Sequence, residues 1–187
     1  MNIKDALSIH ASSTVLFEQQ EIDNGIKSLA GIMQPLIEDK FPLVLCVMNG
    51  GLYFTGQLVR HWQFPLTLDY VHATRYRLST LGSDVVWKAY PQNEIKDRHI
   101  VVVDDIFDQG YTLQDIKNYC IKQGAKSVTN CFLIRKSHTR KKADIEADYA
   151  ALECGDLYIY GNGMDYKGHF RNLIDIYAVD DEHNPHS

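Results

Sequence analysis

His99-Ile100-Val101-Val102-Val103-Asp104-Asp105-Ile106-Phe107-Asp108-Gln109-Gly110-Tyr111-Thr112-Leu113 is the stretch on which the reading of this chain turns. Its opening apolar run, His99 to Val103, has the length and β-branched content of a strand buried on both faces. Asp104 to Gly110 reads as a turn, and Tyr111 to Gln123 as the helix that follows, ended by Gly124. The turn carries three carboxylates, Asp104, Asp105 and Asp108, then Gly110 and Thr112. In an open α/β sheet, ligands bind beyond the carboxyl ends of the strands. A helix N-terminus with free amides behind a glycine turn is a phosphate site. Acids alone would repel phosphate. The conflict disappears if Asp104 and Asp105 grip sugar hydroxyls or a magnesium ion while backbone amides hold the phosphate. The plainer alternative makes all three acids turn and N-cap residues without chemistry.

Working outward, strand and helix patterns alternate. Gln20 to Asp39 repeats apolar residues at helical spacing (Ile22, Ile26, Leu29, Met33, Leu36, Ile37), with Pro35 near its end. Leu43 to Met48 is a second buried-strand run, followed by the tight turn Asn49-Gly50-Gly51 and a helical stretch from Leu52 to Arg60. Leu66 to Ala73 and Val128 to Ile134 read as further strands, Val85 to Tyr90 as a strand returning beside Leu66 to Ala73, and 75–83 and 135–142 as loops. This alternation implies an α/β fold, a mostly parallel twisted sheet flanked by helices. The last third differs. Tyr149 to Glu153, Leu157 to Tyr160 and Leu173 to Val179 are short strand candidates, expected to build a small hood lobe over the main sheet. The expected organisation is one domain over 1–187, with a core of about 40–136, a hood of about 1–18 and 137–180, and a frayed tail from Asp180 to Ser187.

Composition narrows the function classes. The 187 residues are 45% hydrophobic, enough for a sizeable core, and the net charge of −5 argues against nucleic acid or an anionic membrane as partner. Cys46, Cys120, Cys131 and Cys154 lack metal-ligand spacing and read as reduced, mostly buried thiols. Met1 to His10 has no continuous apolar stretch of the signal-peptide kind, and no run is long enough to span a bilayer, so a cytoplasmic protein is the expectation. The P-loop pattern is absent, and Gly161 and Gly163 lack the third glycine of a dinucleotide fingerprint.

An apolar strand, two acids, two apolar residues, Asp, one residue, Gly, one residue and Thr: this order resembles the phosphoribosyl pyrophosphate signature of the type I phosphoribosyltransferases. From about Leu43 to Val179 the chain is similar to the hypoxanthine-guanine branch of that family. The resemblance implies a magnesium-dependent transfer of the phosphoribosyl group to a 6-oxopurine, by a homodimer or homotetramer. It implies that Asp104, Asp105, Asp108, Gln109, Gly110, Tyr111 and Thr112 bind the ribose phosphate, with Asp108 as the general base. Met48-Asn49-Gly50-Gly51 resembles the pyrophosphate loop, in which a strained, often cis, peptide presents amides to the leaving group; here that peptide would be Met48–Asn49. Arg171 would clamp the pyrophosphate, and Asp104, Asp105 and Asp165 would hold magnesium. Arg75 and Tyr76 sit where the family has its mobile catalytic loop.

Lys136, at the end of Leu133-Ile134-Arg135-Lys136, resembles the lysine that donates to the purine's exocyclic oxygen, a preference that disfavours adenine. In Asp156-Leu157-Tyr158-Ile159-Tyr160-Gly161, Tyr158 would stack on the base and the Ile159 backbone would read its edge, with Asp165 nearby. Read alone, Gly50-Gly51 is an ordinary turn, Lys136 a surface charge in a basic loop, and Tyr158 a core aromatic. The chain departs from the family in Gln109, Tyr111 and Asn49, in Asp104 where Glu is frequent, and in Arg75 where Ser is common. Two alternatives stay open: a regulator that senses phosphoribosyl pyrophosphate without catalysis, and a xanthine-preferring transferase. A DNA-binding regulator would need a basic helical domain ahead of the fold, and the residues before the first glycine turn carry few positive charges.

Overall fold

A computed structural model describes residues 2–75, 85–140 and 143–180, of which Arg75 and Val85 are described by backbone alone. The main sheet has six strands: β2 (Leu43–Val47), β3 (Thr67–Arg75), β4 (Val85–Ala89), β5 (His99–Phe107), β6 (Ser127–Lys136) and β7 (Tyr149–Cys154). Their order is β4-β3-β2-β5-β6-β7. All neighbours pair in parallel except β3 and β4, so the antiparallel strand closes one edge. The expected fold class is the observed one.

Helices cover both faces, for a reason visible in the strand sequences. Val101 and Val103 of β5, with Val44 of β2 and Cys131 and Leu133 of β6, bury one face against α2 (Gln19–Ile37) and α3 (Gly51–Val59). The alternate residues Ile100, Val102, Leu43, Leu45 and Phe132 bury the other against Leu113, Ile116 and Cys120 of α4 (Tyr111–Lys122). Side chains of a strand point to opposite faces in turn, so a continuous valine run fits only a two-faced core. Pro35 lies inside α2 near its end without cutting the helix short. The four cysteines are free thiols, with Cys154 the least buried.

Two boundaries are corrected. β5 runs on to Phe107, so Asp104 and Asp105 are strand residues, with Asp104 paired opposite Phe132, and the turn is confined to the residues between Phe107 and Tyr111. Acidic residues disfavour strands, but β6 supplies a full ladder beside them, and pairing outweighs propensity. β7 joins the main sheet beside β6 and is no part of the hood. Its anchor is buried Asn130, which trades hydrogen bonds with Asp148: Asn130 N and Nδ2 donate to Oδ2 at 2.9 and 2.7 Å, and Asp148 N donates to Asn130 Oδ1 at 2.9 Å.

A second, three-stranded sheet, β1-β9-β8, is built from both ends of the chain: β1 (Thr14–Phe17), β8 (Ile159–Tyr160) and β9 (Ile176–Ala178). Ahead of it lies α1 (Ile3–Ser12), N-capped by Asn2, whose Oδ1 accepts the Asp5 amide at 2.9 Å. Buried Ile9 of α1 packs with Tyr160, Tyr166 and Val179. Neither α1 nor β1 was expected from the sequence; each is short, and β1 acquires its meaning only from a partner strand at the far end of the chain, in the register Thr14↔Ala178. Among the described residues, no helix is long and apolar enough to cross a membrane. Of the tail Asp180 to Ser187, expected to fray, all but Asp180 lies outside the described residues.

Candidate active site

The sheet order reverses direction between β2 and β5: from β2 the chain goes outward to β3, and later returns to place β5 on the other side. The crevice at such a switch point is where α/β sheets bind ligands. Two loops meet there. After β2 comes the turn Met48 to Gly50, with a cis peptide at Met48–Asn49, the bond the family resemblance singles out. After β5 comes the acidic turn, ending in Gly110 at φ 77°, a left-handed conformation that glycine adopts without strain.

The loops touch through their smallest residues. A β-carbon at Gly50 would fall 1.8 Å from Asp105 Oδ2, and one at Gly51 would fall 2.8 Å from the Val103 carbonyl oxygen. Glycine is therefore the residue that lets the first loop close on the two acids. Gly110 is the N-cap of α4 and contributes no side-chain hydrogen bond, so the first amides of that helix stay available to an anion. Thr112 lies in the first turn and can add a hydroxyl.

Asp104 and Asp105 are half-buried neighbours at the strand end. The Asp105 amide donates to Asp104 Oδ1 at 2.9 Å, and the Ile106 amide donates to Asp105 Oδ1 at 2.8 Å. Desolvation, then the charge of Asp105, pushes the Asp104 carboxyl well above its ordinary range. Desolvation likewise raises Asp105, against the hydrogen bonds from Asp104 and Ile106. Two carboxylates held close in a half-buried setting are unfavourable by themselves. A divalent cation or sugar hydroxyls would relieve that cost.

The donor set fits magnesium of the substrate-bound kind. Among the described residues, no group of three or more His, Cys, Asp or Glu forms a protein cage for a metal. Magnesium bound through one or two carboxylates, substrate oxygens and water needs no such cage. Asp165 is currently engaged elsewhere: Arg171 Nη2 pairs with its Oδ1, and the Gly168 amide donates to its Oδ2 at 2.6 Å. Arg171 also donates from Nη1 to the Gly163 carbonyl at 2.6 Å, and its charge acts on both Asp104 and Asp105.

Lys136 ends β6, one residue beyond Arg135, which pairs with Phe107 across the β5–β6 ladder. That register sets Lys136 beside Asp108 at the mouth of the sheet. Lys136 is 9% exposed, and burial pulls its ammonium below the ordinary lysine value, opposed by the charges of Asp108, Cys154 and Asp156. Tyr158 packs edge-to-face on Tyr166 at 5.3 Å, and its carbonyl accepts the Val179 amide at 3.0 Å. Ile159 starts β8 and is buried. The strand expected from Leu157 is thus only two residues long. Tyr76 lies outside the described residues; Arg75 is the last residue of β3.

Three residues at this site were not singled out in the sequence. Asp108 Oδ1 lies 2.6 Å from Arg140 Nη2 and 2.6 Å from His138 Nε2. Arg140 in turn donates from Nε and Nη2 to the two oxygens of Asp156, both at 2.7 Å. No spacing rule joins residues 108, 138, 140 and 156, which meet because β5, β6 and β7 lie side by side.

A phosphoribosyl transferase domain model matches residues 14–158. The chain is 31% identical over 159 residues to a hypoxanthine-guanine-xanthine phosphoribosyltransferase from Tritrichomonas foetus, covering 85% of this chain and 87% of that protein. It is 32% identical over 165 residues to a hypoxanthine-guanine phosphoribosyltransferase from Bacillus subtilis, covering 88% and 91%. A crystal structure of a hypoxanthine-guanine phosphoribosyltransferase from Bacillus anthracis superposes with a TM-score of 0.80 at 28% identity, over 89% of this chain and 97% of that one. With the acidic strand end, the glycine loop closed on it and an uncapped helix at the switch point, these matches establish that the chain belongs to the phosphoribosyltransferase family.

Proposed function

We propose that this protein is a purine-salvage enzyme that transfers the 5-phosphoribosyl group of phosphoribosyl pyrophosphate to N9 of hypoxanthine or guanine, releasing pyrophosphate. The observation that carries the reading is the buried ammonium of Lys136 beside the acidic strand end. A buried ammonium suits an exocyclic oxygen, which accepts, and not an amino group, which donates. The curated relatives named above support the same substrate class.

In this reading, amides from Asp108 to Thr112, with Gln109, Gly110 and Tyr111 shaping the turn, hold the 5′-phosphate at the start of α4. Asp104 and Asp105 orient the ribose hydroxyls. The base stacks on Tyr158, hydrogen-bonds Lys136 through its oxo group, and meets the Ile159 backbone. Pyrophosphate leaves the anomeric carbon through an oxocarbenium-like transition state, and N9 attacks with inversion. Asn49, Gly50, Gly51 and Arg171 stabilise the departing charge. Asp108 accepts the proton that N7 gives up as N9 becomes bonded. Asp104, Asp105 and Asp165 are the carboxylates that would hold magnesium, which when bound neutralises charge on the pyrophosphate.

The reading extends to a cytoplasmic homodimer or homotetramer. Four free thiols suit a reducing compartment, and the apolar side chains Leu68, Tyr70, Val86 and Tyr90 are exposed on β3, on β4 and just after it. The test is a nucleotide-formation assay with magnesium, phosphoribosyl pyrophosphate and each base separately. Hypoxanthine and guanine should give product and adenine none. Binding of phosphoribosyl pyrophosphate without product from any base would make the protein a sensor, and product from xanthine alone would reassign the base.

A further inference from the structure

The carboxylate of Asp108 is held unevenly. Oδ1 receives both close contacts, Arg140 Nη2 at 2.6 Å and His138 Nε2 at 2.6 Å, whereas Oδ2 has only Arg140 Nη1 at 3.5 Å among the described residues. His138 is almost wholly buried, with 1% of its side chain exposed. Neither of its ring nitrogens makes a hydrogen bond among the described residues. Arg140 is fixed from behind, because both Asp156 oxygens accept from it. Asp156 opens the segment that leads to Tyr158. A single guanidinium therefore spans the phosphate turn and the proposed base-stacking segment.

We propose that Arg140 is a positioning residue that anchors Oδ1 of Asp108 and leaves Oδ2 turned to the N7–H of the bound purine. The inference rests on the reading of Asp108 as the proton acceptor. Proton transfer needs the accepting oxygen within hydrogen-bond reach of the donor, and a carboxylate free to rotate spends little time there. Planar, five-donor arginine can grip two carboxylates at once; a lysine ammonium in its place cannot reproduce that span.

Two ligands that differ only at the base's five-membered ring separate positioning from general damage. 9-Deazahypoxanthine keeps an N7–H donor, and 7-deazahypoxanthine lacks it. Both keep the oxo group for Lys136 and the ring for Tyr158. The ratio of their Kd values, measured by calorimetry in the presence of magnesium and pyrophosphate, reports the Asp108 contact alone. In Arg140→Gln the preference for the N7–H ligand should fall by about tenfold. Loss confined to that ratio supports the proposal; a wild-type ratio in Arg140→Gln overturns it. If that variant does not fold, Arg140→Lys takes its place and should lose part of the preference, with a wild-type ratio again the contradicting result. Asp108→Asn run alongside separates the two claims. If it keeps the wild-type ratio, the base assignment itself fails. If it loses the ratio while Arg140→Gln retains it, only the positioning role fails.

Discussion

Asp105 and Gly50 occupy one space: the carboxylate of the strand residue stands where a side chain of the loop residue would begin, 1.8 Å from an ideal β-carbon. Gly50→Ala must push the loop or the acid aside. A misplacement of about 1 Å at a reacting centre costs about 10²-fold in rate. The expected result is a loss of that order in kcat/KM for phosphoribosyl pyrophosphate, with an unchanged far-ultraviolet circular dichroism spectrum, because α3 begins after Gly50. Wild-type kinetics in Gly50→Ala would show that the loop has room to spare.

Asp104 is a site where function opposes stability. Its carboxyl is pushed up by burial and by Asp105, so the folded chain binds that proton more tightly than the unfolded chain does. Stability therefore falls as pH rises from the ordinary carboxylate range through the raised value, and the penalty is fully present above it. Asp104→Asn removes the charge. In metal-free buffer near neutral pH the variant should melt higher, by about 2–4 °C for each kcal/mol gained in a domain of this size, and should be catalytically poor. The same substitution should flatten the fall in Tm with rising pH. A lower Tm in Asp104→Asn, measured without magnesium, would contradict this electrostatic account.

Lys136 offers a second separation. Lys136→Met keeps the side chain's length and its burial while removing the donor. A hydrogen bond to a charged group contributes about 1.5–3 kcal/mol, so kcat/KM for hypoxanthine should drop by about 10–100-fold. The KM for phosphoribosyl pyrophosphate should barely move, because Lys136 is assigned to the oxo group of the base alone. Equal damage to both substrates would mean that Lys136 acts through the fold.

Asp108→Asn keeps the shape of the carboxylate and removes its basicity. Loss of positioned proton transfer lowers kcat by about 10²–10⁴-fold. The variant should fold, since the side chain is partly exposed and lies in a turn. Unchanged turnover at saturating substrates would remove Asp108 from the reaction.

Much of this architecture could be read from residue order. The valine run of β5, the glycine pair after β2 and the glycine that ends α4 are local signals, and local signals survive without tertiary context. The length of β5 did not, because Asp104 to Phe107 stay extended only through pairing with β6. The place of β7 was missed for the same reason: a short strand carries no mark of the sheet it will join. β8 and β9 were read too long: β8 begins at Ile159, two residues after Leu157, and β9 is confined to Ile176–Ala178 within the expected Leu173 to Val179. In the site, the residues that repeat a family pattern were legible. His138, Arg140 and Asp156 were not, because they come together only when three strands lie side by side.

The most direct measurement is a crystal structure of the protein with inosine or guanosine monophosphate and magnesium. The account predicts the 5′-phosphate on the amides at the start of α4, the ribose hydroxyls against Asp104 and Asp105, and the purine oxo group on Lys136. A nucleotide bound elsewhere, with the bend between β5 and α4 left empty, would contradict it.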